Sequence, residues 1–448
     1  MQNNTVRHII RYGISSEQKF LNSFSDSYDV LAINGNMLAH APSALANFVS
    51  KKIVGKQFFI DPQTYAFQNA ASFLRSRQTD KMKMSVKKMI EIYGAPLSSN
   101  DFKPLKPVDF NNDALMQEFC RRVVNFQETT IANAKETEEI QKYLDFANIT
   151  FATKPCFLIA PYFYMGDSKW EEWLDLNVEF LKVSKSIHPD KNMWAQVVIS
   201  KDILREEKSR KKIIDLYSDA KPDGILLWVD EFSEHDADLH LLSAFRSFIE
   251  LIKQQGISVI NLYGGYFSIL LTKFAGLDGV SHGLEYGESR AVVPVGGGIP
   301  MAKFYYPKLH KRLRYVDAAS VLLEKSLFTK DVSEYYKEVC NCPMCKETIQ
   351  KDANNFSLYG ETREVYSKRK YSVITLNYPI PETRNRTLCH YLHRKRQEFN
   401  DVKSLSEMDL LKTLNDAIED TQMEQSISPH DFNHLRRWYT VLSSPITT

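Results

Sequence analysis

Short apolar runs alternate with amphipathic, helix-like stretches from about residue 30 to residue 285. Apolar runs of four to eight residues between turn-forming residues are typical of buried strands. The pattern predicts strands at Val30–Asn34, Gln57–Asp61, Cys156–Tyr162, Trp194–Ser200, Gly224–Asp230, Ser258–Tyr263 and Gly279–Gly283, with an eighth near Arg314–Ala318.

Helical periodicity fills the intervals between these runs. In the segment from Asp238 to Ile252, for example, Leu242, Phe245 and Ile249 fall on one helical face, and Gly256 then ends the helix. The predicted helices span 42–49, 64–93, 114–144, 170–184, 201–217, 237–255 and 266–275. Strands and helices in this order predict parallel strands with right-handed crossovers, and eight strands favour an α/β fold of the (β/α)8 TIM-barrel type. An open doubly wound sheet is the alternative, but no glycine fingerprint of a dinucleotide fold follows an early strand.

Composition adds little beyond the class of protein. The 448 residues include 43% hydrophobic and 25% charged residues, which excludes disordered and fibrous classes, and the net charge of +2 identifies no partner. No apolar run is long enough for a membrane span, and no signal-peptide core is present at the N-terminus, so we expect a cytoplasmic protein.

The alternating pattern ends near residue 285, where turn-forming, basic and cysteine-rich segments begin. We therefore expect a barrel over 1–285, barrel closure with a basic and aromatic loop over 286–335, and an appended zinc-binding subdomain with C-terminal helices over 336–448.

Three cysteines, Cys340, Cys342 and Cys345, stand within six residues. Buried free thiols are the alternative, but this spacing in a reducing compartment is typical of a metal site, and zinc takes four soft ligands. The segment Cys389-His390-Tyr391-Leu392-His393 offers the fourth ligand, with Cys389, His390 and His393 as candidates. A closed set of four ligands predicts a structural Zn²⁺.

A C-x-C-x-x-C cluster followed by a distant histidine, behind a (β/α)8 barrel, resembles the tRNA-guanine transglycosylase superfamily. His390-Tyr391-Leu392 matches the family's H-x-L segment, which favours His390 as the fourth ligand. The 45 residues from Cys345 to His390 exceed the family's usual spacing, so the polar stretch before Lys370 would be an insertion.

Four barrel segments extend the resemblance in degenerate form over most of residues 57–400. FFIDPQTYAFQ is similar to the family's D-S-G-G-F-Q motif and retains Asp61, Phe67 and Gln68. ILLWVDE, which ends in Asp230 and Glu231, resembles G-G-L-x-V-G-E. The segments LYGGY and GLDGVS resemble the family's Y-L-M-G-V-G and G-V-D-x-F-D.

The resemblance implies base exchange. In that family a carboxylate attacks the anomeric carbon, expels guanine and forms a covalent intermediate, which a 7-deazaguanine base then resolves. The chain departs from the family at two places: Ser281 stands at the nucleophile's position, and Ala160-Pro161-Tyr162 lacks the base-reading aspartate. Asp61 and Asp230 are then the best catalytic pair, and the predicted substrate-binding residues are Gln68, Glu231, Tyr263, Gly264, His282 and Glu285.

Basic residues interleaved with aromatic rings occupy 303–314, and they predict a nucleic-acid contact in which cations bind phosphate and rings stack on bases. The predicted nucleic-acid-binding residues are Lys303, Lys308, Lys311, Arg312 and Arg314, with Phe304, Tyr305 and Tyr306 between them. Further basic clusters lie at 368–370 and 394–396.

The sequence thus predicts replacement of guanine in a polynucleotide, with DNA favoured over tRNA because the motifs of the tRNA enzymes are broken. The partners would be the polymer, a 7-deazaguanine base, and a partner subunit or a second copy of the chain. One alternative is a non-catalytic, nucleic-acid-binding member of the same superfamily, which Ser281 favours. Another is an unrelated zinc-bearing barrel hydrolase.

Overall fold

The computed structural model describes residues 6–76, 79–99, 103–147, 154–166, 168–285, 287–293, 301–329, 331–369, 372–422 and 432–444. The chain forms two compact units. The first contains Met1–Ser233, Ser243–Gly264 and Ala275–Pro294, and the second contains Glu234–Leu242, Gly265–Phe274 and Val295–Thr448. No helix within the described ranges combines the length and apolar character needed to cross a membrane.

Eight strands of the first unit form one sheet. They are β1 (Arg7–Tyr12), β2 (Val30–Asn34), β3 (Gln57–Asp61), β4 (Leu158–Ile159), β5 (Met193–Ile199), β6 (Gly224–Val229), β7 (Val259–Asn261) and β8 (Gly279–Gly283). The order is β3-β2-β1-β8-β7-β6-β5-β4, and neighbouring strands are parallel. Across the remaining gap the Cys156 amide, just before β4, donates to the Phe58 carbonyl on β3 at 2.8 Å. The sheet is therefore a nearly closed, TIM-like parallel barrel, as the alternating pattern predicted.

The predicted bounds of β2, β3 and β8 are confirmed, but the predicted eighth strand is wrong. The remaining strand of the barrel is instead β1, at the start of the chain. Residues from Tyr315 to Glu324 are helical. Ala318, Val321 and Leu322 are buried with the three- and four-residue spacing of one helix face, which explains why an apolar count alone misassigned them.

Helices connect the strands and occupy most of the second unit. Those that begin before β7 are α1 (Gln18–Ser23), α2 (Gly35–His40), α3 (Pro42–Lys51), α4 (Ala71–Leu74), α5 (Met84–Tyr93), α6 (Asp113–Thr129), α7 (Lys135–Phe146), α8 (Trp170–Ile187), α9 (Lys201–Arg205), α10 (Glu207–Ala220) and α11 (Leu239–Gln254). The predicted helices 64–93, 114–144 and 201–217 are thus each divided into shorter elements.

The second unit carries α12 (Tyr266–Phe274), α13 (Tyr315–Glu324), α14 (Ser333–Glu338), α15 (Pro343–Ile349), α16 (Pro381–Ser404), α17 (Glu407–Gln422) and α18 (Asn433–Ser443). It also has two antiparallel hairpins, β9 (Lys303–Tyr306) with β10 (Lys311–Arg314), and β11 (Thr362–Arg369) with β12 (Ser372–Pro379). The second hairpin lies between Cys345 and His390, where the sequence predicted an insertion.

Alternation along the strands decides which side chains face the barrel interior. Ile9, Ala32 and Phe59 belong to the buried cluster inside the barrel. Two residues further along the same strands come Arg11, Asn34 and Asp61, which therefore share the inner face near the carboxyl ends of the strands. This end of a parallel barrel is where active sites form, and we refer to it as the barrel mouth.

Candidate metal centre and barrel-mouth site

Cys340, Cys342, Cys345 and His390 form a buried cluster in which the candidate ligand atoms all lie within 4.8 Å of one another. The loop before α15 and the first turn of α15 place the thiols: the Cys342 amide donates to Cys340 Sγ, and the Cys345 amide donates to Cys342 Sγ, each at 3.4 Å. Pro343 then starts the helix. The Cys3His group can hold a metal ion, as the spacing of the cysteines predicted.

A backbone contact fixes the orientation of His390. Its Nε2 lies 2.7 Å from the carbonyl oxygen of Tyr305, and its Nδ1 lies 3.4 Å from the sulphurs of Cys342 and Cys345. A carbonyl only accepts, so the proton belongs on Nε2 and the lone pair of Nδ1 faces the thiols. The cluster in the described part of the chain thus uses His390, and neither Cys389 nor His393 belongs to it.

The sulphurs of the cluster favour a positive charge beside them, because hydrogen bonds from Cys342 and Cys345 lower the pKa of Cys340. Burial alone would lower the pKa of His390, but hydrogen bonds to the sulphurs of Cys340 and Cys342 raise that pKa to about 10. Burial, together with the same two sulphurs, raises the pKa of Cys345. Three thiols and one imidazole nitrogen fit a thiophilic divalent ion in tetrahedral geometry, and they leave no open position for a substrate.

Asp61 ends β3 at the barrel mouth and is 1% exposed. Three donors converge on its carboxylate: Arg11 Nη2 at 3.0 Å, the Tyr162 hydroxyl at 2.6 Å and the Gln63 amide at 3.0 Å. Arg11 Nη2 also donates to Asn34 Oδ1 at 2.6 Å. The negative charge of the carboxylate is therefore balanced by Arg11, and its orientation is fixed by the three hydrogen bonds.

Asp230 follows β6 and is half-buried. Its Oδ2 accepts the Tyr164 hydroxyl at 2.9 Å, and its Oδ1 accepts the Val292 amide at 2.7 Å. Tyr164 and the Asp61 partner Tyr162 are two residues apart. The structure thus brings the two predicted catalytic carboxylates to the same end of the barrel.

Residues 287–293, which we call the strap, bond to strand ends and loops at this mouth. The carbonyl oxygen of Arg290 accepts Trp228 Nε1 at 3.1 Å and the Glu231 amide at 3.0 Å. Arg290 Nη1 donates to the Tyr263 hydroxyl at 3.1 Å. Electrostatic interaction with Tyr263, and to a smaller extent with Tyr65, raises the pKa of Arg290. Its guanidinium group therefore stays positively charged beside two tyrosine rings.

Some predicted substrate-binding residues have structural contacts. The side-chain amide of Gln68 accepts the backbone N–H of Tyr164 and donates to its carbonyl, at 2.6 and 3.0 Å, which holds the tyrosine segment. The Gly264 amide donates to the Ser281 carbonyl at 3.0 Å. Glu231, with a positive φ of 51°, has a 60% exposed side chain 3.8 Å from Lys201 Nζ. Glu285 is half-buried in the turn after β8.

His282 lies on the other face of the sheet. In register it is the partner of Ile10, whereas Arg11 pairs with Gly283, so His282 and Arg11 point to opposite faces. Its Nε2 lies 2.8 Å from Nε2 of the buried His8. The expectation that His282 lines the mouth is therefore wrong.

Ser281 faces the barrel interior but lies below the mouth. It pairs with Ile9, two residues before Arg11, and its buried Oγ has no hydrogen-bond partner among the described residues. No carboxylate of the described chain bonds to this hydroxyl, so nothing in the described contacts activates it as a nucleophile.

The basic segment differs from its expected form. Phe304, Tyr305 and Tyr306 are fully buried, so the prediction that these rings stack on bases is wrong. Among the predicted nucleic-acid-binding residues, Lys308 bridges Glu338 and Asp420 at 2.7 Å, and Arg314 pairs with Asp317. The guanidinium carbon of Arg312 lies 3.5 Å from the centre of the Tyr391 ring. Lys303 is exposed, and Lys311 is half-buried.

The basic cluster at 394–396 also offers fewer accessible charges than its sequence implies. Lys395 is fully buried and lies 3.0 Å from Glu398. Lys370 lies outside the described residues.

Sequence reasoning missed Arg11, Tyr162, Tyr164 and Arg290. An arginine inside the apolar run RHIIRY was the available signal for Arg11, since a buried charge requires a partner. The tyrosines carried no such signal, because aromatic residues are common in any core. The comparisons with known proteins match no family model and no curated protein of significant sequence similarity. What the chain does must therefore be inferred from the Cys3His cluster and the barrel mouth.

Proposed function

We propose that this protein exchanges guanine in a polynucleotide, DNA more than tRNA, for a 7-deazaguanine base. One observation carries the proposal: Asp61 at the end of β3 and Asp230 just after β6 lie at one barrel mouth, and each bonds to one of two tyrosines that are two residues apart. Chemistry at a glycosidic carbon through a covalent intermediate uses such a pair, one carboxylate as nucleophile and one group for proton transfer.

The surroundings of the two carboxylates support different roles for them. Asp230 is the more accessible carboxylate and would attack the anomeric carbon, so that the bond to guanine breaks and its electron pair leaves with the base. The Tyr162 hydroxyl, which donates to Asp61, would deliver the proton that the leaving base needs. It would then take back the proton that the incoming base loses as it displaces Asp230, so the cycle balances in protons.

The ion of the Cys3His cluster is, in this proposal, Zn²⁺. Its four protein donors would be Cys340, Cys342, Cys345 and His390, with Nδ1 as the imidazole donor. Bound zinc would cross-link α15 and the loop before it to α16, and a closed set of four donors supports a structural role and no part in the reaction.

The polynucleotide would contact the basic segment through exposed cations such as Lys303, since the rings beside it are buried. Counterion release by such cations gives affinity that does not depend on sequence. The choice of DNA over tRNA is supported by the departures from the tRNA-enzyme motifs at Ser281 and at Ala160-Pro161-Tyr162.

Radiolabelled guanine tests the proposal. The zinc-loaded protein is incubated with the labelled base and, separately, duplex DNA or bulk tRNA. We expect incorporation into DNA that Asp61→Asn and Asp230→Asn each reduce by at least about a hundredfold, whereas Asp215→Asn, an exposed change on α10, leaves it intact. Polymer binding without incorporation would instead favour the non-catalytic, nucleic-acid-binding alternative.

A further inference from the structure

A buried donor at the barrel mouth lacks a partner. Arg11 is 4% exposed, and its Nη2 is shared between Asn34 and Asp61. Its Nη1 is buried and has no hydrogen-bond partner among the described residues. An unmade hydrogen bond on a buried charged group is costly, so a retained N–H of this kind points to an acceptor that arrives with a ligand.

An aromatic ring lies beside this donor, and further rings pack against that ring. The guanidinium carbon of Arg11 lies 4.8 Å from the centre of the Tyr263 ring. The ring centre of Trp228 lies 5.0 Å from the ring centres of both Tyr263 and Tyr65. The Tyr65 ring in turn stacks on the Tyr162 ring, with 5.8 Å between their centres. Flat rings around one N–H donor suit a planar ligand that carries an oxygen acceptor on its edge.

Val292 of the strap packs among these rings. Its side chain belongs to the same buried cluster as Trp228, Tyr65 and Tyr263, and its amide holds Asp230. An aliphatic side chain makes no hydrogen bond to Arg11. A planar ligand that displaces Val292 would keep the apolar contacts with the rings and add the missing acceptor.

We propose that Arg11 is a specificity-determining residue whose Nη1 donates to the ring carbonyl oxygen of the exchanged base, an inference that rests on the proposed function. Nη2 is already bonded, so Arg11 reads one acceptor and not two. Guanine and 7-deazaguanine share that carbonyl oxygen, whereas the neighbouring nitrogen N7 is a carbon in the deaza base. A single contact therefore accepts both the leaving and the incoming base, as an exchange requires.

Binding of free bases tests the assignment without any turnover. Tryptophan fluorescence of the full-length protein is titrated with guanine, 7-deazaguanine and 6-thioguanine, which replaces the carbonyl oxygen by a weaker acceptor and keeps the ring N–H. We expect guanine and 7-deazaguanine to bind alike and about tenfold more tightly than 6-thioguanine. Equal affinity for guanine and 6-thioguanine, or no binding of any base, would overturn the assignment.

Two variants separate Arg11 from its partner. Asp61→Asn keeps Arg11 and should keep the preference for guanine. Arg11→Met with Asp61→Asn removes both charges, so no buried charge is left unpaired, and it should abolish the preference; if the preference remains, Arg11 does not read the base. A preference without base exchange would overturn the proposed function alone, and exchange without a preference would overturn the role of Arg11 alone.

Discussion

His390 Nε2 lies 2.7 Å from the carbonyl oxygen of Tyr305, and this hydrogen bond turns Nδ1 towards the thiols of the Cys3His cluster. Tyr305 belongs to β9 and His390 to α16, so the contact joins a hairpin to a helix within the second unit. A bound metal would then cross-link residues whose histidine ligand is already oriented by a backbone hydrogen bond.

Loss of one thiol should therefore release the metal. We expect Cys342→Ser to remove nearly all zinc from the purified protein and to lower its unfolding temperature by about 10 °C. Elemental analysis by mass spectrometry and differential scanning calorimetry measure the two effects. Cys389→Ser, which changes a buried thiol beside His390 but outside the cluster, should keep the zinc; equal losses in both variants would contradict the ligand set.

A buried ion pair in the second unit predicts a dependence of stability on pH. Burial alone would raise the pKa of Glu398, but Lys395 and His310 lower it to about 2. The unfolded value is about 4.3, so this group contributes stability that is fully present above pH 4.3 and is lost as the pH falls through about 2.

Glu398→Gln should accordingly lower the free energy of unfolding by about 3 kcal/mol at pH 7, and by progressively less below pH 4. Urea denaturation at pH 7, 5 and 3.5 measures this difference, with the exposed Glu419→Gln as the matched control. A deficit that is the same at all three pH values would show that the charge of Glu398 is not its cause.

The position of His282 on the outer face of β8 predicts a structural role. His282→Ala should cost about 1–3 kcal/mol of unfolding free energy, because the imidazole of His8 loses a buried partner. Guanine affinity, measured by fluorescence titration, should not change. A tenfold loss of affinity at unchanged stability would instead assign His282 to the substrate site.

The basic segment predicts unequal effects of two lysines on polymer binding. Lys303 is exposed, whereas Lys308 is half-buried between Glu338 and Asp420. Lys303→Ala should therefore reduce the slope of log affinity against log salt concentration by about 1, and Lys308→Ala should change it less. DNA binding measured by fluorescence anisotropy at several salt concentrations compares them; the reverse order would refute a contact through Lys303.

The sequence predicts those parts of the fold and site whose signal is local. Three thiols in six residues and a buried, uninterrupted strand such as Val30–Asn34 are of this kind. The apolar pattern does not predict β1, because His8 and Arg11 interrupt its apolar run. His8 faces the outside of the barrel, and Arg11 bonds to Asp61 inside it. The contacts of Asp61 with Tyr162 and of Asp230 with Tyr164 join residues that are 101 and 66 positions apart, and no local pattern encodes such pairing.

A trapped intermediate is the most direct test of base exchange. Zinc-loaded protein is incubated with end-labelled duplex DNA in the absence of an incoming base, quenched in denaturant and separated by electrophoresis. We predict a covalent protein–DNA species that Asp230→Asn abolishes and that added 7-deazaguanine resolves. Absence of this species, or its persistence in Asp230→Asn, would contradict the assignment of Asp230 as the nucleophile at the barrel mouth.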